Sequence, residues 1–259
     1  MTTTNTANGA ATAVENVWLR RYSEVPDPAH RLVCFPHAGG SAAVYLPFAR
    51  RLARDGIEVH AVQYPGRHDR RQEPFVETIG DLVEGVLPEL SRLQADGVPV
   101  ALFGHSMGAT TAYETARRLA TTAGAAPLAH LFVSGRSGPT LSRRETLHLL
   151  DDRDLTDHMR VLQGTDPSVF ADEELVRMVL PVLRGDYRVI GGYTHTPGPA
   201  VDIPVTVLTG DADPNVRPAG IRAWREVAVD EPAVHTFPGG HFYLQDEQEA
   251  VCRTIARAL

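Results

Sequence analysis

From Val17 onward, short apolar runs alternate with stretches whose apolar residues recur at helical spacing. Residues 31–36 (RLVCFP) form a β-rich run closed by Pro36 and followed by Gly39 and Gly40. Residues 41–54 place Val44, Phe48 and Leu52 on one helical face. Residues 57–64 read as a strand. Residues 78–93 read as a helix with Ile79, Leu82, Val83, Val86, Leu90 and Leu93 inward, in which Pro88 predicts a kink. A buried strand at 100–104, a helix at 107–120 and a strand at 131–134 follow. This alternation predicts a mostly parallel central sheet with helices on both faces.

The rhythm breaks after Gly135. Residues 136–199 carry helical patterns at 144–150, 155–162 and 173–189 with no strand between them, and strand and helix resume at 205–209, 221–227, 233–237 and 245–258. A helical insertion between two sheet segments predicts a lid over the carboxyl edge of the sheet. The alternative is that these helices pack as core. Their apolar positions, Met159 and Met178 among them, either line a pocket or seal that core, and methionine suits an adaptable pocket. The expected organisation is a disordered tail over residues 1–16 and one α/β domain over 17–259 that carries the insertion.

At 259 residues with 43% hydrophobic and 22% charged residues, the chain has enough apolar content for a large core. A net charge of −7 argues against a dedicated nucleic-acid binder. No apolar run approaches the length of a membrane span, and the first residues lack the pattern of a signal peptide. The two cysteines are too few for a disulfide scaffold or a four-cysteine zinc site, and fit a reducing, cytoplasmic setting. All 25 basic residues are arginine, which excludes Schiff-base, pyridoxal-lysine and P-loop-lysine chemistry. A GC-rich genome explains that bias without a functional reason.

The sequence GHSMG at 104–108 matches G-x-S-x-G. The pattern is short, and its setting gives it weight: it follows an apolar strand and opens a helix, as a nucleophile elbow does in the α/β-hydrolase fold. Ser106 is the candidate nucleophile. Side chains at Gly104 or Gly108 would crowd the tightly packed backbone, and the helix N-terminus favours developing negative charge. A serine hydroxyl needs a base, and in this fold the order along the chain is Ser, acid, His. His241, in PGGH after the last strand, is the candidate base, while His105 should point away from Ser106. Asp211 and Asp213 compete as the acid. Asp213 lies further out and precedes Pro214, so it is favoured, and Asp211 is assigned to bracing the loop. The oxyanion-hole donors are expected to be the backbone N–H groups of Met107 and Ala38, with His37 and Gly39 as near alternatives. No HExxH or other metal-ligand spacing occurs, and no cofactor is expected.

In register along the chain, FPHAGG at 35–40, YPGR at 64–67, GHSMG at 104–108, GDAD at 210–213 and PGGH at 238–241 resemble the type II thioesterases. These are stand-alone α/β-hydrolases associated with polyketide and non-ribosomal peptide synthases. The resemblance runs from about Val17 to the C-terminus. It implies hydrolysis of acyl groups from the phosphopantetheine arm of an acyl or peptidyl carrier protein, through an acyl-enzyme, to clear stalled or misprimed synthases. Candidate substrate contacts are His37, Gly39, Met159, Met178 and Phe242. Arg67, Arg70 and Arg71 form a basic cluster that either docks the acidic carrier or is a solvated loop. A carboxylesterase or acyltransferase of the same fold is the enzymatic alternative. A non-catalytic cup is disfavoured by an intact set of three residues, and an aspartate-nucleophile dehalogenase by the serine at 106.

Overall fold

Runs that are buried on both faces take interior positions in the sheet. In the computed structural model, which describes residues 17–142, 144–162, 164 and 167–259, seven strands form one sheet in the order β1-β3-β2-β4-β5-β6-β7. They are β1 (Leu19–Arg21), β2 (His30–Phe35), β3 (Ile57–Val62), β4 (Val100–His105), β5 (His130–Ser134), β6 (Val205–Gly210) and β7 (Ala233–Phe237). The tail expected over residues 1–16 lies outside the described residues. Only the short β1 runs antiparallel, against β3, and every other pairing is parallel. β3, β4 and β6 are buried along their whole length, as parallel strands covered on both faces must be.

Successive side chains feed two cores. Val33, Phe35, Leu102, Leu131 and Val133 meet α2 (Ile79–Leu93) and α3 (Met107–Ala120) on one face. Leu32, Cys34, Phe103 and Phe132 meet α1 (Leu46–Leu52) and α7 (Gln248–Ala258) on the other. Both cysteines, Cys34 and Cys252, are buried in this second core, and burial is the main cause pushing the Cys34 thiol well up and the Cys252 thiol up to about 12. α2 begins with a capping box between Thr78 and Asp81 and continues through Pro88 to Leu93, so the proline does not end it. Val44 departs from its expected inward face. A 3-10 turn at Ala42–Tyr45 precedes α1 and shifts the helical phase, leaving Val44 exposed while Phe48 and Leu52 are buried.

The chain turns from β2 to β3 on one side and to β4 on the other. Phe35 stands beside Gly104 in register, so the loop after β2 and the turn after β4 open into the same crevice at the carboxyl edge. That reversal of strand order is where α/β sheets place their ligands.

Between β5 and β6 lie α4 (Asp152–Leu162) and α5 (Glu173–Gly191) with short 3-10 turns. The helix expected over 144–150 is only a turn at Leu147–Leu149. Leu150 is extended (φ −60°, ψ 148°), which ends the turn, and Arg184 of α5 donates to the carbonyls of His148 and Leu150. Leu155, Met159, Leu180 and Leu183 form a small apolar cluster of their own, apart from the two sheet cores. The resumed helix near 221–227 is the short α6 (Pro218–Arg222) followed by a 3-10 turn. Among the described residues, no helix is long and apolar enough to cross a membrane, and no group of three or more acidic, histidine or cysteine side chains is placed to hold a metal ion.

His130, at the start of β5, stacks on Phe132 with ring centroids 4.2 Å apart and shares a 2.8 Å hydrogen bond with Thr206. Burial lowers its pKa from 6.5 to about 4. The unfolded chain therefore binds a proton more readily than the folded one between these values. The contribution of His130 to stability is intact above pH 6.5 and is lost as pH falls toward about 4. Between about pH 7.5 and about pH 5 this amounts to about 1–2 kcal/mol, after allowing for water at the ring edge. Urea unfolding at the two pH values is expected to show a smaller acid loss for His130→Gln than for wild type. An equal loss in both would refute the assignment.

Candidate active site

The turn between β4 and α3 is strained at one residue. Ser106 has φ 55° and ψ −117°, a conformation in which few non-glycine residues are found, and it sits at the N-terminus of α3. Its N–H donates to the Ser134 carbonyl at 2.8 Å, which ties the turn to β5. Gly104 and Gly108 permit the tight turn. A Cβ on Gly104 would lie 2.0 Å from the Gly108 carbonyl oxygen, and one on Gly108 would lie 2.0 Å from that of Phe35.

Ser106 Oγ lies 3.0 Å from His241 Nε2, and His241 Nδ1 lies 2.9 Å from Asp213 Oδ2. Both the imidazole and the carboxylate are buried. The other carboxylate oxygen accepts the Asn215 N–H at 2.8 Å. Asp211 points elsewhere and accepts the Gly239 N–H at 2.9 Å, joining the loop after β6 to the loop that carries His241. Two backbone bonds, from Asp211 N–H to Phe237 O and from Ala212 N–H to Gly239 O, complete that seam. A hydroxyl bonded to an imidazole whose far nitrogen meets a carboxylate is the arrangement that general-base activation requires.

Three more imidazoles surround His241. His105 turns away from Ser106, with its Nδ1 2.9 Å from Ser134 Oγ, which in turn meets the Tyr243 hydroxyl at 2.7 Å. Burial, then the proximity of His241 and His37, pushes the His105 pKa well down. Burial, then His241 and Arg67, lowers that of His37 to about 3. Burial, then His241, also lowers that of His158. Each shift favours the neutral ring, which adds no positive charge beside His241.

The loop after β2 supplies the facing wall. Ala38 and Met107 border one cavity with Ser106 and His241, and among the described residues no acceptor meets either N–H. Gly39 is not available as an alternative donor, because its N–H is bonded to Asp186 Oδ2 at 2.7 Å. Arg67 pairs with the same carboxylate through two bonds of 2.6 and 2.7 Å. Arg70 pairs with Glu73, donates to the Gln63 carbonyl and lies over the Trp18 ring. Arg67 and Arg70 are therefore buried structural cations, which corrects their expected docking role. Arg71 alone of the cluster is exposed.

The cavity over Ser106 has a volume of about 260 Å³ and takes Arg136, His158 and Asn215 into its wall. A second cavity of about 200 Å³ is lined by Met159, Val179, Leu183 and Gly39. His37 and Phe242 border both, their rings 4.7 Å apart edge to face. Met178 does not contribute. It is 65% exposed, and its neighbour Val179 takes the inward position. Sequence reasoning missed Asp186, Arg136, Asn215 and Tyr187. For Asp186 a signal existed: it is a carboxylate on the apolar stripe of Leu180, Leu183 and Ile190.

A family model described as the thioesterase domain matches residues 30–259. The probable cadicidin biosynthesis thioesterase of Streptomyces griseus is 46% identical over 242 residues, 93% of this chain, and the chain spans 66% of that protein's length. Thioesterase PikA5 of Streptomyces venezuelae is 41% identical over 93% of this chain and 84% of its own. Among solved structures, the type II thioesterase BorB from the borrelidin biosynthetic cluster superposes with a TM-score of 0.85. It is 48% identical, over 93% of this chain and 97% of that one.

Proposed function

The chain belongs to the thioesterase family, and from that premise we propose that it hydrolyses acyl groups from the phosphopantetheine arm of an acyl or peptidyl carrier protein through Ser106, His241 and Asp213. It is a type II thioesterase with the α/β-hydrolase fold, a thioester hydrolase of polyketide or non-ribosomal peptide biosynthesis. One observation carries the finer reading: the hydrogen-bonded chain from Ser106 through His241 to Asp213 opens on a cavity beside two unengaged backbone donors.

In this mechanism His241 Nε2 takes the hydroxyl proton as Ser106 Oγ attacks the thioester carbonyl. The N–H groups of Met107 and Ala38 meet the oxygen that becomes negative. Such a donor lowers the barrier by about 3–4 kcal/mol. The pantetheine sulfur leaves with the proton held by His241. Water, deprotonated by the same nitrogen, then attacks the acyl-serine; the acyl–Oγ bond breaks, His241 returns the proton to Ser106 Oγ, and the acid is released. Asp213 fixes the imidazole tautomer and offsets the positive charge that His241 carries between steps. The lowered pKa values of His37, His105 and His158 keep these imidazoles from adding positive charge beside it.

Residues 136–199 act as a cap over the site in this reading, with α4 and α5 contributing cavity wall. The enzyme meets its carrier in the cytoplasm and clears stalled or misprimed acyl chains. Arg71 remains available to an acidic carrier, whereas Arg67 and Arg70 do not. The test is release of acetyl, propionyl and butyryl groups from a phosphopantetheinylated carrier protein, with Ser106→Ala alongside. Wild-type release and none by the variant is the expected result. Rapid hydrolysis of oxygen esters with no release from the carrier would instead favour a carboxylesterase.

A further inference from the structure

α5 buries a carboxylate among its apolar residues. Asp186 lies on the inner face with Leu180, Leu183, Val189 and Ile190, and its side chain is 5% exposed. Burying an ionised carboxylate costs several kcal/mol unless it is both paired and hydrogen-bonded. Its partners are therefore the reason it is tolerated, and all of them lie at the loop after β2 or brace it. Oδ2 accepts the Gly39 N–H at 2.7 Å and Arg67 Nη1 at 2.6 Å, while Oδ1 accepts Arg67 Nη2 at 2.7 Å. Arg67 Nη1 also donates to the Gly40 carbonyl at 3.0 Å. The arginine is held in turn. Its Nε donates to the Pro65 carbonyl, and its own carbonyl accepts from Gln63 Nε2. Gln63 Oε1 then accepts the Ala42 N–H at 3.0 Å. Three peptide groups between Gly39 and Ala42 are thus fixed by side chains from other elements.

We infer that Asp186 and Arg67 are positioning residues for the oxyanion hole: their ion pair holds the Gly39–Gly40 backbone so that the preceding Ala38 N–H faces the reacting carbonyl. The inference rests on the oxyanion reading proposed above. Asp186 takes the Gly39 N–H, the neighbouring donor that would otherwise compete, and leaves Ala38 as the loop's contribution beside Met107. The helix that supplies this carboxylate belongs to the insertion over the site. The hole is therefore complete only while α5 is seated on the loop, and acylation is coupled to the position of the cap.

The test compares Arg67→Met/Asp186→Leu, Asp186→Asn and Ser106→Ala with wild type on propionyl-pantetheine thioester. The double variant removes both charges together, because an apolar residue at 186 alone would leave Arg67 buried with no acceptor in place of the carboxylate, whereas asparagine keeps an oxygen there. Its kcat is expected to fall roughly 10- to 100-fold, the size of effect that follows from misplacing a reacting geometry by about 1 Å. KM should stay within about threefold, since the lost interaction acts on the transition state. The inhibition constant of a trifluoromethyl ketone analogue should rise by the same factor as kcat falls, because its adduct places an oxyanion in the hole. Endpoint titration with a fluorophosphonate should still count one serine per chain. Asp186→Asn keeps the volume and one acceptor for Gly39. It is expected between the two, roughly three- to tenfold below wild type, with the same parallel in the inhibitor. It carries the test if the double variant does not fold.

A kcat within about threefold of wild type in the folded double variant overturns the inference. So does a loss matched by a lower serine count, which makes the pair merely structural, or a rise in KM with kcat unchanged. Activity retained by Ser106→Ala refutes the catalytic reading itself, whatever the Asp186 variants do.

Discussion

Ser106→Ala, His241→Ala and the double variant are all expected to retain the same residual thioester hydrolysis, with kcat lower by on the order of 10⁴-fold or more. The equality follows from the geometry. Oγ and Nε2 share a 3.0 Å hydrogen bond, and neither group has a catalytic path without the other. Without the hydroxyl no acyl-enzyme forms. Without the imidazole the hydroxyl keeps its proton at neutral pH and is a poor nucleophile. What survives in all three variants is the same route, attack by unactivated water on a carbonyl polarised by the backbone donors. The neighbouring histidines offer no rescue. His105 is bonded to Ser134 and points away from the hydroxyl, and among the described residues neither His37 nor His158 is hydrogen-bonded to Ser106 Oγ, although both line its cavity. Initial rates on a short acyl thioester, with circular dichroism to confirm folding, measure this. A double variant worse than either single by the product of their losses would mean that the two residues act independently, and the coupled mechanism would fall.

Gly108→Ala is expected to destabilise the fold by about 4 kcal/mol or more, far beyond an ordinary helix substitution. The added Cβ would sit 2.0 Å from the Phe35 carbonyl oxygen, 2.6 Å from its carbonyl carbon and 2.7 Å from the Pro36 oxygen. All three are backbone atoms in β2 or at its end, so no rotamer change relieves the clash. α3 and β2 would have to part in the middle of the sheet, and the loop carrying Ala38 would move with them. The expected outcome is loss of soluble protein or a melting temperature lower by roughly 8–16 °C. Gly80→Ala in α2 is the control. Its nearest neighbour is Thr78 Oγ1 at 3.4 Å, so it should be neutral or stabilising by up to about 1 kcal/mol. Equal melting temperatures for Gly108→Ala and wild type would contradict the close packing on which the elbow depends.

The parts of the site that were legible in the sequence are those set by local order. Ser106, Asp213 and His241 each follow a strand directly, and the sheet alone brings the three strand ends together. Glycines and a proline around them announce the turns. Arg67 and Arg70 were misread because a run of arginines in a loop looks like solvated charge. The partner that buries Arg67 lies 119 residues away on α5, and no local pattern announces it. Met178 and Val179 show a different limit. One residue along a helix is a rotation of about 100°, so a stripe read one position out of phase exchanges wall for surface. The turn at Leu147–Leu149 shows a third limit, since the chain there is held through the carbonyls of His148 and Leu150 by Arg184, 36 and 34 residues away. The first and third misses turn on contacts from distant residues, and the second on helical phase.

An enzyme that handles activated acyl groups is itself exposed to them, since thioesters transfer readily to amines and thiolates. This chain has no lysine, and both of its thiols are shut inside the core between β2 and α7 with their pKa values raised. No side-chain amine and no surface thiol compete with Ser106 for the substrate. Burial keeps both thiols out of reach of such reactants. In the proposed mechanism, an acyl mass found on one of its side chains is therefore expected at Ser106.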